Sequence, residues 1–399
     1  MRPRVRILAV ILLVLGAAAG TAAGPAPAAS ASPVDQRCAR PATVPDPTVP
    51  WAQRRMGADR AWVLTRGEGV LVAVVDTGVS AISPALAGAV APGRDVLTGG
   101  RADNDCSGHG TFVAGLLAAH PSDSIGLVGV APDVRILPIR VTDNPDEVDP
   151  AKLAAGIRAA ADGGARVIAV SVSTPIDSHA VRAAVGYAVR RGALVIASAQ
   201  RPTDLTVGAN AATARAYPAA LPDVLAVAPI GQDGMPADDV SFASGPDLAA
   251  PGSNVTSIAP RGPGSFAASG HGLAVPFVAG AAALVRSYRP WLSAAAVRKR
   301  LQATADHPST GLLPHPLLGY GVVDPAAAVA SALPEESGDP APMVSPETIQ
   351  APLVTHADPH PGRLALTASA ALAGVVALGA LIAAVTTRGR RRRWRAASA

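Results

Sequence analysis

Two kinds of apolar block follow one another along the chain. VLVAVVDTGV ending near Asp76, RILPIRV, VIAVSVS and ALVIASA are short, nearly continuous apolar runs, the pattern of strands buried on both faces. Between them lie amphipathic stretches of helical length. One is opened by Asp149 and Pro150 and runs to about Asp162; another spans Ser178 to Arg191. Strand and helix in turn predict right-handed crossovers onto a mostly parallel central sheet with helices on both faces, an α/β fold. PWAQRRMGADRAWVLTRGEG predicts a short helix and a glycine turn at the start of the ordered domain, near Trp51. At its far end Ser293 caps LSAAAVRKRLQATA, and GYGVVDPAAAVASAL closes the domain near Leu333. From Ser265 to Ser287 a Gly-rich turn opens into a long Ala-rich helix, with Pro276 early enough to be tolerated.

The two ends follow a different logic. Arg2, Arg4 and Arg6 precede an apolar run and then small residues, the build of a secretory signal peptide over 1–31, with cleavage after Ala23 or Ala31. Residues 32–50 read as an extended N-terminal extension and 51–333 as the folded domain. Residues 334–363 form a Pro-rich stalk. Leu364 to Val385 carries no charge and, as a helix, would be roughly 33 Å long, enough to span a bilayer core. The basic tail over 386–399 predicts a cytoplasmic C-terminus by the positive-inside rule, so the domain is expected outside the cell membrane on a single-pass anchor.

Charge adds one exclusion. The net charge of +5 comes from the ends: nine of the 34 basic residues lie in the two terminal segments, and residues 32–385 carry 25 basic against 29 acidic groups. No basic face for nucleic acid is implied. Two cysteines, Cys38 and Cys106, would both lie outside the cytoplasm, where an even count favours one disulfide over two free thiols.

Candidate chemistry clusters in three motifs. Asp76 ends a buried strand, where ligands gather in open parallel sheets, although a turn or N-cap role fits the same position. His109 sits between glycines in DCSGHGTFVAG, about 30 residues later. The third motif is the turn Gly270, His271, Gly272, Leu273, Ala274, Val275, Pro276 before the long helix, whose first amides are free donors. No metal-ligand cluster is read, although His271 would be the residue to join His109 and Asp76 in one, and no cofactor is called for.

These motifs, in the order Asp76, His109, Gly272, resemble the Asp, His and Ser segments of subtilisin-like serine proteases, whose third motif reads G-T-S-x-A-x-P followed by V-A-G. The resemblance is closest to the mycosins, membrane-anchored proteases associated with type VII secretion. It is carried by PWAQ, LTRGEGVLVAVVDTGV, DCSGHGTFVAG, SIAPRGPG, FVAGAAALVR, RLQATADHP and GYGVVDP, with the signal peptide, stalk, anchor and tail.

The resemblance implies a subtilisin-like fold and a serine endopeptidase lineage, with Asp76 and His109 as triad members and Gly272 in the place of the nucleophilic serine. Glycine has no atom with which to form the acyl ester, so the family's covalent route is closed. Ser269 could replace the hydroxyl only on a rebuilt backbone. Where the family has an oxyanion asparagine, this chain has Gln200 and Arg201; a one-residue slip would let Gln200 donate instead, and in subtilisin the loss of that one oxyanion donor costs about 10²- to 10³-fold in turnover. Ser171, Val172 and Ser173 match the strand edge that pairs with substrate backbone, with Ser173 replacing the usual glycine. The family also implies a Cys38 to Cys106 pair and a role at the secretion complex separable from cleavage. The expectation is a pseudoprotease that scaffolds a type VII secretion membrane complex or binds a secreted protein or peptide; the alternative is an active serine-type endopeptidase acting on secreted proteins.

Overall fold

The computed structural model describes residues 38–199, 215–236, 245–270, 272–309, 313–336 and 360–391. The proposed signal peptide, residues 32–37 of the extension, Gln200, Arg201, His271, residues 337–359 of the stalk and residues 392–399 of the tail lie outside these residues. The chain divides into two compact units, Met1–Leu333 and Pro334–Ala399.

The first unit is built on a seven-stranded parallel sheet, in the order β2-β3-β1-β4-β5-β6-β7. Its strands are β1 (Leu71–Asp76), β2 (Arg94–Asp95), β3 (Arg135–Arg140), β4 (Val167–Val170), β5 (Leu194–Ser198), β6 (Val224–Ile230) and β7 (Leu248–Pro251). The sequence LVAVVD shows why β1 is central. Val72 and Val74 join a core cluster with α2 (His109–Ala118) and α5 (Val275–Tyr288), while Ala73 and Val75 join another with α3 (Pro150–Asp162) and α4 (His179–Arg190). Successive strand residues thus face opposite helical layers, and both faces demand apolar side chains.

Capping follows the sequence. The Asp149 carboxylate accepts from the Ala151 amide and Ser293 Oγ from the Ala296 amide, at the starts of α3 and of α6 (Ala294–Ala303). α1 (Trp51–Met56) and a 3-10 turn over Ala58–Ala61 open the domain, and α7 (Pro325–Ala330), capped by Asp324, closes it. β8 (Val255–Ile258) and β9 (Ser265–Ala268) form an antiparallel hairpin outside the main sheet. The apolar run VIAVSVS predicts a longer strand than exists: β4 ends at Val170, where its ladders with β1 and β5 both stop, and Thr174 pairs instead with Tyr217.

The strand order reverses direction beside β1, which lies between β3 and β4. That is the switch point at which an open parallel sheet leaves a crevice beyond its carboxyl ends. Val75 pairs with Val170, so Asp76 and Ser171 follow side by side at this edge.

In the second unit α8 covers His360–Arg391 and contains a stretch, Ser369–Gly389, long and apolar enough to cross a membrane. The predicted span 364–385 falls within α8.

Candidate active site

Asp76 leaves β1 fully buried. Its Oδ1 accepts from the Thr77 amide at 2.7 Å, and both carboxylate oxygens lie against His109 Nδ1, at 2.8 and 2.9 Å. His109 is the first residue of α2 and keeps 19% of its side chain exposed. Its flanking glycines have a packing cause. A Cβ on Gly110 would lie 2.0 Å from the Gly78 carbonyl oxygen, so only glycine lets the helix start press onto the turn after β1. That approach brings the two motifs into hydrogen-bond range.

A second buried acid braces the turn. Asp105 Oδ1 accepts from Thr77 Oγ1 at 2.9 Å and the Gly108 amide at 2.8 Å; Oδ2 accepts from the Thr111 amide at 2.8 Å and Thr111 Oγ1 at 2.6 Å. Sequence reasoning gave Asp105 no role. The available signal was its place three residues before the residue that caps α2, the spacing of a local carboxylate-to-amide bond. Burial pushes its carboxyl above the ordinary carboxylate range, helped by the charge of Asp76 and opposed by the hydrogen bonds from the Thr111 hydroxyl and the Gly108 and Thr111 amides.

The electrostatics favour a charged imidazole. Burial works against it, but the Asp76 carboxylate, through its charge and its hydrogen bond, and the charges of Asp105 and Asp146 prevail and hold His109 above its ordinary 6.5. With Nδ1 donating to Asp76, Nε2 is left without a hydrogen-bond partner among the described residues, the arrangement of an oriented base or imidazolium.

Gly272 sits in the turn that leads into α5. A Cβ built on it would lie 1.9 Å from the Ser171 carbonyl oxygen and 3.0 Å from Ser171 Cβ. Real side chains do not tolerate the first distance, so the position is filled by the residue that follows β4. Ser171, Val172 and Ser173 are all buried, and Ser171 Oγ and Ser173 Oγ have no hydrogen-bond partner among the described residues. Ser269 Oγ accepts from the Asn254 amide at 2.7 Å across the β8–β9 hairpin. The structure therefore joins Asp76 to His109 and Ser171 to Gly272, at neighbouring strand ends. Cys38 and Cys106 form a disulfide that ties the N-terminal extension to the residue beside Asp105. Among the described residues no group of three or more His, Cys, Asp and Glu side chains is placed to hold a metal.

The subtilase family model matches residues 67–322. Mycosin-1 of Mycobacterium tuberculosis (strain ATCC 25618 / H37Rv) is 32% identical over 417 residues, covering 90% of this chain and 91% of its own. Mycosin-4 of the same strain is 34% identical over 430 residues and is covered to 92%, as is this chain. Among solved structures, MycP1, a serine protease described as an essential component of the type VII (ESX-1) secretion system, matches with a TM-score of 0.63 at 34% identity, over 74% of this chain and 93% of that one.

Proposed function

The chain belongs to the subtilase family, and within it we propose a mycosin-like component of a type VII secretion system whose peptidase domain is a pseudoprotease, acting as a scaffold or peptide-binding module. The observation that carries this reading is the contact between Gly272 and Ser171: the residue in the nucleophile's place lacks a hydroxyl, and the backbone has closed over the space a side chain would need. Gln200 and Arg201, in place of an oxyanion asparagine, weaken acyl-transfer chemistry independently. Ser171, Val172 and Ser173 are the segment where an added peptide strand would pair, and their burial means that the segment must open first.

The domain is held outside the cell membrane. The basic and apolar N-terminus supplies export, the apolar part of α8 supplies the anchor, and the arginine-rich tail stays in the cytoplasm. The partner is the secretion membrane complex or a secreted protein or peptide, by analogy with MycP1.

Full-length protein treated with a fluorophosphonate probe tests the first point. No labelling is expected. A covalent adduct on Ser269 or on any other hydroxyl overturns the reading. Affinity capture from membranes tests the second, and recovery without secretion components removes the assembly role.

The alternative, an active serine-type endopeptidase, draws support from the intact Asp76–His109 pair. Without an attacking oxygen on the protein this pair can only orient or activate water, and loss of the nucleophile in a triad enzyme costs about 10⁶-fold in turnover.

A further inference from the structure

The amino ends of the central strands form a surface that the proposed scaffold chemistry leaves unused. α5 runs from the turn at Gly272 to this opposite pole. There Ser287 Oγ donates to the Glu68 carbonyl just before β1, and Arg286 Nη2 donates to the Gly192 carbonyl just before β5. Thr65 Oγ1 donates to Ser287 Oγ at 2.8 Å, which brings the loop after the first 3-10 turn alongside the end of α5.

Apolar side chains stand exposed on both sides of that contact. Val63 is 85% exposed and Leu64 41%; Tyr288 is 39% exposed and Trp291 69%. Such a group is uncommon on a domain with nothing to cover it. Around it Arg166, Arg190 and Arg191 are exposed where the chain enters β4 and β5, and Arg166 Nη2 reaches the Pro290 carbonyl at 3.3 Å. The nearby acids are engaged: Asp133 by Arg66, Glu68 by the Arg66 amide.

The domain also ends at this pole. Arg289 Nη2 donates to the Ser331 carbonyl at 3.2 Å, as does Arg300, two residues before Leu333 closes the unit. Residues 334–359 then lead to α8.

We propose that this pole docks on the anionic headgroup surface of the bilayer that α8 crosses. Trp291 and Tyr288 enter the interfacial layer, and Arg166, Arg190 and Arg191 face lipid phosphates. Aromatic rings with one polar edge favour that layer, and guanidinium groups match phosphate in a two-point fork. The charge attraction acts within a Debye length, so a tether that keeps the pole near the membrane makes it effective. Docking leaves the Asp76–His109 crevice facing away from the lipid. The proposal rests on the membrane-anchored reading.

The test uses the full chain carrying Trp394→Phe, reconstituted in vesicles of phosphatidylethanolamine and phosphatidylglycerol, with brominated phosphatidylglycerol as a tryptophan quencher. Quenching is expected, and Trp291→Phe should abolish the greater part of it. The triple reversal Arg166→Glu, Arg190→Glu, Arg191→Glu should reduce it while Trp291 is retained. Quenching unchanged by Trp291→Phe, or absent in a protein that resists alkaline carbonate extraction, overturns docking but not anchoring. Release by carbonate overturns both. Shielding of Trp291 only when secretion membrane proteins are added assigns the patch to a protein partner and overturns the lipid proposal.

Discussion

Gly272 and Ser171 are in backbone contact: the glycine's missing Cβ would fall 1.9 Å from the serine's carbonyl oxygen. Restoring a hydroxyl at residue 272 therefore requires the turn before α5 to move away from β4. Gly272→Ala is expected to lower stability by about 1–3 kcal/mol through overpacking, read as a lower urea midpoint at unchanged slope. Gly272→Ser should cost at least as much and remain unlabelled by fluorophosphonate. Efficient labelling of that variant would mean that the turn shifts freely and that the lost oxygen was the only defect.

His109 should titrate above 6.5, because the Asp76 carboxylate outweighs burial. The linkage sign follows. Its charged form stabilises the fold fully below the unfolded value near 6.5, and this contribution fades as pH rises through the raised folded value. Asp76→Asn removes the charge that opposes burial, so the ring should then titrate below 6.5. Its contribution to stability would be lost as pH falls, the reverse dependence. Following the His109 ring proton by NMR in both proteins decides the matter; a variant value still above 6.5 would assign the shift to Asp105 and Asp146 instead.

The parts of this fold that announced themselves in the sequence are those set by local pattern. β1 reads as LVAVVD because both its faces are buried, and α3 and α6 begin where Asp149 and Ser293 can cap them. Asp76 and His109 stood out for the same reason, one at a strand end and one between glycines, and they meet. What stayed hidden depends on neighbours distant in sequence. β2 has two residues and exists only as a partner of β3, while the end of β4 at Val170 is fixed by where its neighbours stop pairing. Asp105 looks like a loop acid until Thr77 and Thr111 close around it. Gly272 announced a missing group in the sequence, but the carbonyl filling its place belongs to a residue 101 positions away, just past the end of β4.

Arg286 is a buried cation with little compensation. It is 3% exposed, donates from Nη2 to the Gly192 carbonyl and has no partner for Nε among the described residues, and burial beside Arg166 lowers its pKa to about 10. Arg286→Met keeps most of the apolar stem and removes the desolvated charge, while exposed Gly192 can give its carbonyl to water. The variant is expected to be as stable as the parent or more stable by about 1–2 kcal/mol. A drop in midpoint would show that the Gly192 bond outweighs the desolvation it requires.

The Cys38–Cys106 disulfide closes a loop across 68 positions and fixes an extension that otherwise holds on through backbone bonds. The Ala39 amide donates to the Cys106 carbonyl, Ala42 to Arg261, Gly264 to Ala42 and Gly126 to Asp46. A cross-link of this span restricts the unfolded chain by up to about 4 kcal/mol in the chain-entropy account. Replacing both cysteines by alanine, which leaves no lone thiol, should therefore cost about 2–4 kcal/mol in urea unfolding. The loss should also be local in the native state: amide exchange at Ala39 and Ala42 should accelerate while β1 and β4 stay protected, because their cores contain no residue of the extension. If exchange instead accelerates across Thr77, Asp105 and Thr111, the bridge is also bracing the segment that presents His109 to Asp76, and the extension is part of the site rather than a strap beside it.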